Sequence, residues 1–303
     1  MTSLRLRLYS IGARMFVRPL FSVADNPDEI EKRMKRMVRH TSRVLPGSLV
    51  LPRKLGGRPG LWVSAAGSDP SRVILYFHGG AYFAGSSAMY AALAARLSRY
   101  GKAPVFMQDY RLAPKHRFPA AFKDALSAWH DLIERGYSPE RIIIGGDSAG
   151  GGLALAVLAH ILARGEKPAG AFAFSPWTDL TMSGQSVTTN AEYDAVIPAD
   201  RMQDAADLYL DGYSSHDPCA SPHFAEFDDP PPVLLHVGSP EVLEDDSVRM
   251  AEKLRAAGGE VTFRKWENAP HVHHLAEGWV PEARAALREA GAFIQTSFAA
   301  ARR

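Results

Sequence analysis

From about residue 48 onward, short apolar runs alternate with alanine- and leucine-rich stretches of helical period. That alternation predicts an α/β fold, a mostly parallel sheet with helices on both faces. Residues 72–77, 103–108, 141–145, 169–175, 232–237 and 260–266 each carry the compact apolar run expected of a strand buried on both faces. Ahead of them, 48–52 and 61–64 flank Gly56-Gly57 and predict a hairpin at one sheet edge. Helices are expected over 87–100, 120–135, 149–164 and 245–257, each stopped by a glycine at the next position: Gly101, Gly136, Gly165 and Gly258. Two regions break the alternation. Residues 1 to about 45 hold a charged helix at about 27–39, and about 183–217 are polar and tyrosine-rich. Both are assigned to a cap, which leaves 46–303 as the main α/β domain with the second region inserted in it.

Charge and cysteine content narrow the partners. The 35 basic and 33 acidic residues nearly cancel to +2, which leaves no overall footprint for nucleic acid or an anionic membrane. Small neutral ligands remain. Cys219 is the only cysteine, so no intramolecular disulfide forms and a reducing, cytoplasmic setting is expected. The N-terminus is basic and amphipathic, but Arg5, Arg7, Arg14 and Arg18 interrupt any signal-peptide core. No apolar run approaches the roughly 20 residues that cross a bilayer. A soluble chain without a transmembrane segment is expected, and exposed edges outside the cap leave room for a homodimer.

The candidate chemistry begins where the strand at 141–145 runs into a helix through Gly146-Asp147-Ser148-Ala149-Gly150. This is G-x-S-x-G in the strand–turn–helix context that strains the serine backbone and lifts its Oγ out of the sheet end. The glycines spare the turn a collision. At the helix N-terminus the Ala149 N–H has no intrahelical partner and can meet developing negative charge. A second loop, His78-Gly79-Gly80-Ala81-Tyr82-Phe83, also follows a strand, making Gly79, Gly80 and Ala81 further candidate oxyanion donors. Neither glycine cluster carries a Gly-Lys-Ser/Thr or a full dinucleotide fingerprint, so nucleotide binding ranks low.

These loops, with Tyr110-Arg111-Leu112-Ala113-Pro114, Phe118-Pro119-Ala120-Ala121 and Ser175-Pro176-Trp177-Thr178-Asp179-Leu180, resemble the hormone-sensitive-lipase family of esterases, many of them bacterial. The resemblance covers about 70–275 and implies the α/β-hydrolase fold. It also implies Gly80 and Ala81 as the oxyanion donors, with alanine where many members have a third glycine. Lys115 departs from the glutamate usual after the Ala-Pro pair, a position read as structural.

A serine nucleophile needs a base, and in this fold acid and histidine follow it in chain order. His271, His273 and His274 lie in one loop after the last predicted strand. His271 follows Pro270 as the family pattern does. Four carboxylates, Glu241, Glu244, Asp245 and Asp246, follow the strand at 232–237. The family's Asp-Pro-Leu-x-Asp spacing points to Glu241 as the acid that orients the imidazole, with Asp245 as its rival. Asp245 and Asp246 have a duller explanation as charges at a helix N-terminus. Tyr82, Phe83, Trp177, Tyr193 and Tyr209 are candidates for lining a substrate pocket. The resemblance implies hydrolysis of short- to medium-chain acyl esters by acyl transfer, with no cofactor and no metal. Two rivals are a zinc hydrolase built on the histidine cluster, which lacks H-E-x-x-H, and a non-catalytic small-molecule receptor on the same fold, which would lack His271.

Overall fold

The structure is a computed structural model, and it describes residues 2–23, 29–30, 32–36 and 43–301. Eight strands form one sheet: β1 (Leu49–Leu55), β2 (Arg58–Ser64), β3 (Val73–Phe77), β4 (Val105–Gln108), β5 (Ile142–Asp147), β6 (Gly170–Phe174), β7 (Val233–Gly238) and β8 (Val261–Trp266). Their spatial order is β1-β2-β4-β3-β5-β6-β7-β8. β2 is antiparallel to β1 and β4, and every other pairing is parallel. The edge hairpin is longer than expected, its strands meeting at Gly56 and Gly57, which take φ 57° and 72°. That conformation suits a two-residue turn matched to the strands' twist.

The apolar runs explain the layering. Along β3, Val73, Leu75 and Phe77 face one side while Ile74 and Tyr76 face the other. The first side packs against α4 (Ala120–Glu134) and α5 (Ser148–Leu162), and the second against α3 (Ser87–Gly101) and α8 (Pro281–Ala300). Strands β3 to β7 are buried throughout. β8 corrects the expectation of burial on both faces: it is the sheet edge, and Thr262, Arg264 and Lys265 are exposed. Its composition already alternates, as a half-solvated strand should.

Helix ends follow the glycines with one exception. Gly136, Gly165 and Gly258 take φ 93°, 74° and 85°, but Gly101 lies inside α3 and Lys102 adopts the left-handed φ of 55° instead. α7 (Glu244–Ala256) begins one residue before the expected start.

At the N-terminus, α1 (Leu4–Gly12), a π-helical stretch (Ala13–Val17) and α2 (Arg18–Val23) run on without a break. Residues 29–30 and 32–36 are helical within the expected charged helix, whose positions 27, 28, 31 and 37–39 lie outside the described residues. The second irregular region contributes a helical turn (Ser186–Thr189) and α6 (Met202–Leu210). Arginines join the two regions: Arg18 donates to the carbonyls of Asp194 and Ala191 at 2.6 and 3.0 Å, and Arg201 to that of Ser22 at 2.7 Å. Among the described residues no helix is long and apolar enough to cross a membrane.

Candidate active site

Ser148 sits at the junction of β5 and α5 with φ 54°, a left-handed conformation that a side chain rarely adopts. The flanking glycines make the turn sterically feasible. A Cβ on Gly146 would lie 2.2 Å from the Gly150 carbonyl oxygen, and one on Gly150 would lie 2.2 Å from that of Phe77. Ala149 is buried in the first turn of α5, where backbone N–H groups have no intrahelical acceptor.

The loop after β3 wraps the same point. His78 is buried and stacks on Tyr110 at 4.4 Å between ring centroids, and the Tyr110 hydroxyl donates to the His78 carbonyl at 2.6 Å. The histidine therefore braces the loop. Gly79 differs from the expectation of a free donor: its N–H donates to Asp147 Oδ1 at 3.1 Å and is already engaged. Gly80 takes φ 123° and Ala81 φ 51°, and both line a cavity together with Ser148. Asp147 ties loop to elbow by also accepting from the hydroxyls of Tyr76 and Tyr90 at 2.7 and 2.9 Å. Burial pushes its carboxyl up to about 6, against the opposing pull of those two hydroxyls.

On the other side, His271 Nδ1 donates to Glu241 Oε2 at 2.7 Å. Glu241 is fully buried, and its Oε1 accepts from the Ser175 hydroxyl at 2.7 Å and from the Gly238 N–H. Burial raises the Glu241 carboxyl, while the neighbouring His271 opposes that rise. For His271, burial alone would lower the pKa, but the charge and hydrogen bond of Glu241 outweigh it and hold the imidazole above its ordinary value. Two partners of this pair escaped the sequence reading. Ser175, at φ 48° just after β6, bonds Glu241 and accepts from the Val272 N–H at 3.3 Å. Asp194 accepts from the Val242 N–H at 2.9 Å and from the N–H groups of Val196 and Ile197 at 2.8 and 2.9 Å, pinning the inserted region to the Glu241 loop. The Ser175-Pro176-Trp177 motif signalled the first; no local pattern signalled the second.

The rival groups are placed elsewhere. Asp245 accepts from the Ser186 N–H at 2.9 Å, and Asp246 from those of Thr178 and Asp179 at 2.7 and 3.0 Å. Both carboxylates fasten loops as well as opening a helix. His274 stacks on Phe174 at 3.8 Å and its Nε2 lies 3.0 Å from His236 Nδ1, while burial pushes His273 down to about 3. These two are buried core histidines, whose burial disfavours the charged form. Among the described residues no group of three or more His, Cys, Asp or Glu is arranged to hold a metal ion.

Ser148 and His271 open into one cavity of about 740 Å³. Of the aromatic candidates, Phe83 and Trp177 line it. Tyr82 and Tyr209 do not: they are buried and stack on each other at 3.8 Å, nearly parallel at 6°. Tyr193 is 67% exposed on the inserted region, away from the lining. The same cavity is also lined by aliphatic and aromatic side chains such as Val17, Phe21, Ile197 and Leu208, contributed by the N-terminal helices and the inserted region.

A family model described as the alpha/beta hydrolase fold matches residues 74–275. The chain is 38% identical over 255 residues to an acetyl-hydrolase of Streptomyces hygroscopicus, covering 84% of each protein. It is 35% identical over 250 residues to an esterase of Acinetobacter venetianus, covering 82% of each. Its structure matches the crystal structure of an esterase from the bacterial hormone-sensitive lipase family with a TM-score of 0.92 and 32% identity, covering 98% of this chain and 99% of that one.

Proposed function

Because the chain belongs to the hormone-sensitive-lipase family of α/β-hydrolase-fold esterases, we propose that it hydrolyses short- to medium-chain carboxylic esters through an acyl-enzyme on Ser148. The observation that carries this reading is a strained serine sharing one cavity with a histidine whose far nitrogen is held by a buried glutamate. With Nδ1–H committed to Glu241, the Nε2 lone pair of His271 is left to accept a proton. As Ser148 Oγ bonds to the acyl carbon, its proton passes to Nε2 and the carbonyl electrons move onto oxygen. The N–H groups of Gly80, Ala81 and Ala149 receive that oxyanion, and each such donor typically lowers the barrier by roughly 2.7–4 kcal/mol. Collapse breaks the ester C–O bond, and the departing alkoxide takes the proton from His271. Water then repeats the sequence on the acyl-enzyme and regenerates Ser148.

Residues 1 to about 45 and about 183–217 act in this reading as a cap that encloses the substrate. A cavity of about 740 Å³ lies in the range that envelops a small organic ligand. Ala81, bulkier than glycine, crowds the acyl side near Ser148, and the acetyl-hydrolase relative supports small acyl groups.

The test is turnover of a p-nitrophenyl acyl series. Ser148→Ala is expected to lose roughly a million-fold in kcat, as for nucleophiles of comparable hydrolases. Undiminished hydrolysis by that variant would overturn the mechanism.

A further inference from the structure

The helix that roofs the cavity is apolar on two faces. Its inner face supplies Tyr9, Ala13, Val17 and Phe21 to the cavity wall. Its outer face carries Leu4, Leu8, Ile11 and Met15, spaced i, i+4, i+7, i+11, with Phe16 beside them, all exposed and Leu4 and Phe16 at 71% and 67%. Among the described residues no packing covers that outer stripe. Beside it, Leu275 and Trp279 both line the cavity and are 44% exposed, and Arg5 donates to the Trp279 carbonyl at 3.2 Å. The apolar surface therefore continues from the outer stripe to the rim of the active-site cavity.

The charge carried by this helix itself has one sign. Arg5, Arg7, Arg14 and Arg18 fall within the helix, and no acidic residue precedes Asp25. The carboxylate bonded to the helix start, Glu282, is taken up by the Ser3 N–H and hydroxyl at 2.7 and 2.8 Å. The overall charge of +2 conceals this local excess.

We propose that the outer face of residues 4–16 seats the protein on an anionic lipid surface, with the cavity rim at Leu275 and Trp279 turned toward it. Apolar side chains flanked by arginines match the boundary between acyl chains and anionic headgroups, where both contributions to binding operate together. A second copy of this chain fits the face less well, because a two-fold contact through it would bring the same arginines together. The surface thus delivers apolar esters to the cavity mouth without requiring a membrane span.

The experiment is co-sedimentation with vesicles of equimolar phosphatidylcholine and phosphatidylglycerol, compared with phosphatidylcholine alone. Binding is expected only to the anionic vesicles and is expected to weaken as salt screens the arginines. Leu8→Ser/Ile11→Ser/Met15→Ser should lower partitioning by about tenfold or more while hydrolysing soluble p-nitrophenyl acetate at the parent rate. Arg5→Gln/Arg7→Gln, which keeps the apolar stripe, should lower partitioning by roughly fivefold per arginine. Ser148→Ala should bind as the parent does, which separates this proposal from the catalytic one. Absence of binding to anionic vesicles, or binding unchanged in both combined variants, overturns the proposal. So does a parent dimer in sedimentation velocity that the serine variant converts to monomer without any vesicle binding.

Discussion

The floor and the roof of the cavity are built on opposite principles. The floor is polar and tightly bonded: Asp147 accepts from the Gly79 N–H of the glycine loop and from the hydroxyls of Tyr76 and Tyr90, and Glu241 joins His271, Ser175 and Gly238. The roof meets the cavity with Val17, Phe21, Ile197 and Leu208, side chains that make contact without direction. Directional bonds hold reacting atoms to a fraction of an ångström, as charge stabilisation requires. Apolar walls instead tolerate a range of shapes and select by volume. Reaction type should therefore respond to floor substitutions and substrate choice to roof substitutions.

The sharpest test of the floor is Glu241→Gln. The amide keeps the size but loses the charge that fixes the His271 tautomer, and kcat should fall by roughly ten-thousand-fold. The pH profile adds a sign. In the proposed mechanism the neutral imidazole is the base, and Glu241 holds its pKa above the ordinary histidine value. In the parent, kcat/KM should fall as pH drops through a value above 6.5. In Glu241→Gln the residual activity should persist to lower pH, because burial of the imidazole is then opposed only by the more weakly acting charges of Asp194 and Asp147. An acid limb that stays in place or moves upward would break the assignment of Glu241.

The roof test is smaller. Ile197→Trp adds volume to the cavity wall and should cut kcat/KM for long acyl chains by roughly ten- to a hundred-fold relative to acetate. An equal loss for every chain length would show that the roof also positions the reacting atoms, and the contrast would fail. Smallest of all, Arg117→Ala removes an exposed ion pair with Asp211 and should change stability by less than about 1 kcal/mol in thermal melts, since such pairs are screened by water.

Much of the floor was legible in the residues because its constraints are local. Gly146 and Gly150 flank Ser148 within one turn, and the collision that a Cβ would cause at either is a property of that short segment. The alternating strands and helices were legible for the same reason. Gly79 was misread because its N–H is captured by Asp147, a residue 68 positions away. Tyr82 and Tyr209 were misplaced because aromatic identity alone does not say whether a ring faces a cavity or, as here, another ring in the core. Asp194 left no signal, since it acts on the Val242 N–H from a region with no periodic pattern.

The chain by itself determined the order of strands and helices, the strained turn at Ser148 and the candidates to act with it, because hydrophobic period and backbone sterics operate over a few neighbouring residues. Only the tertiary structure decided which carboxylate reaches His271, which N–H groups beside Ser148 are already engaged, and which side chains close the cavity. Those depend on segments far apart in sequence meeting within hydrogen-bond or van der Waals distance.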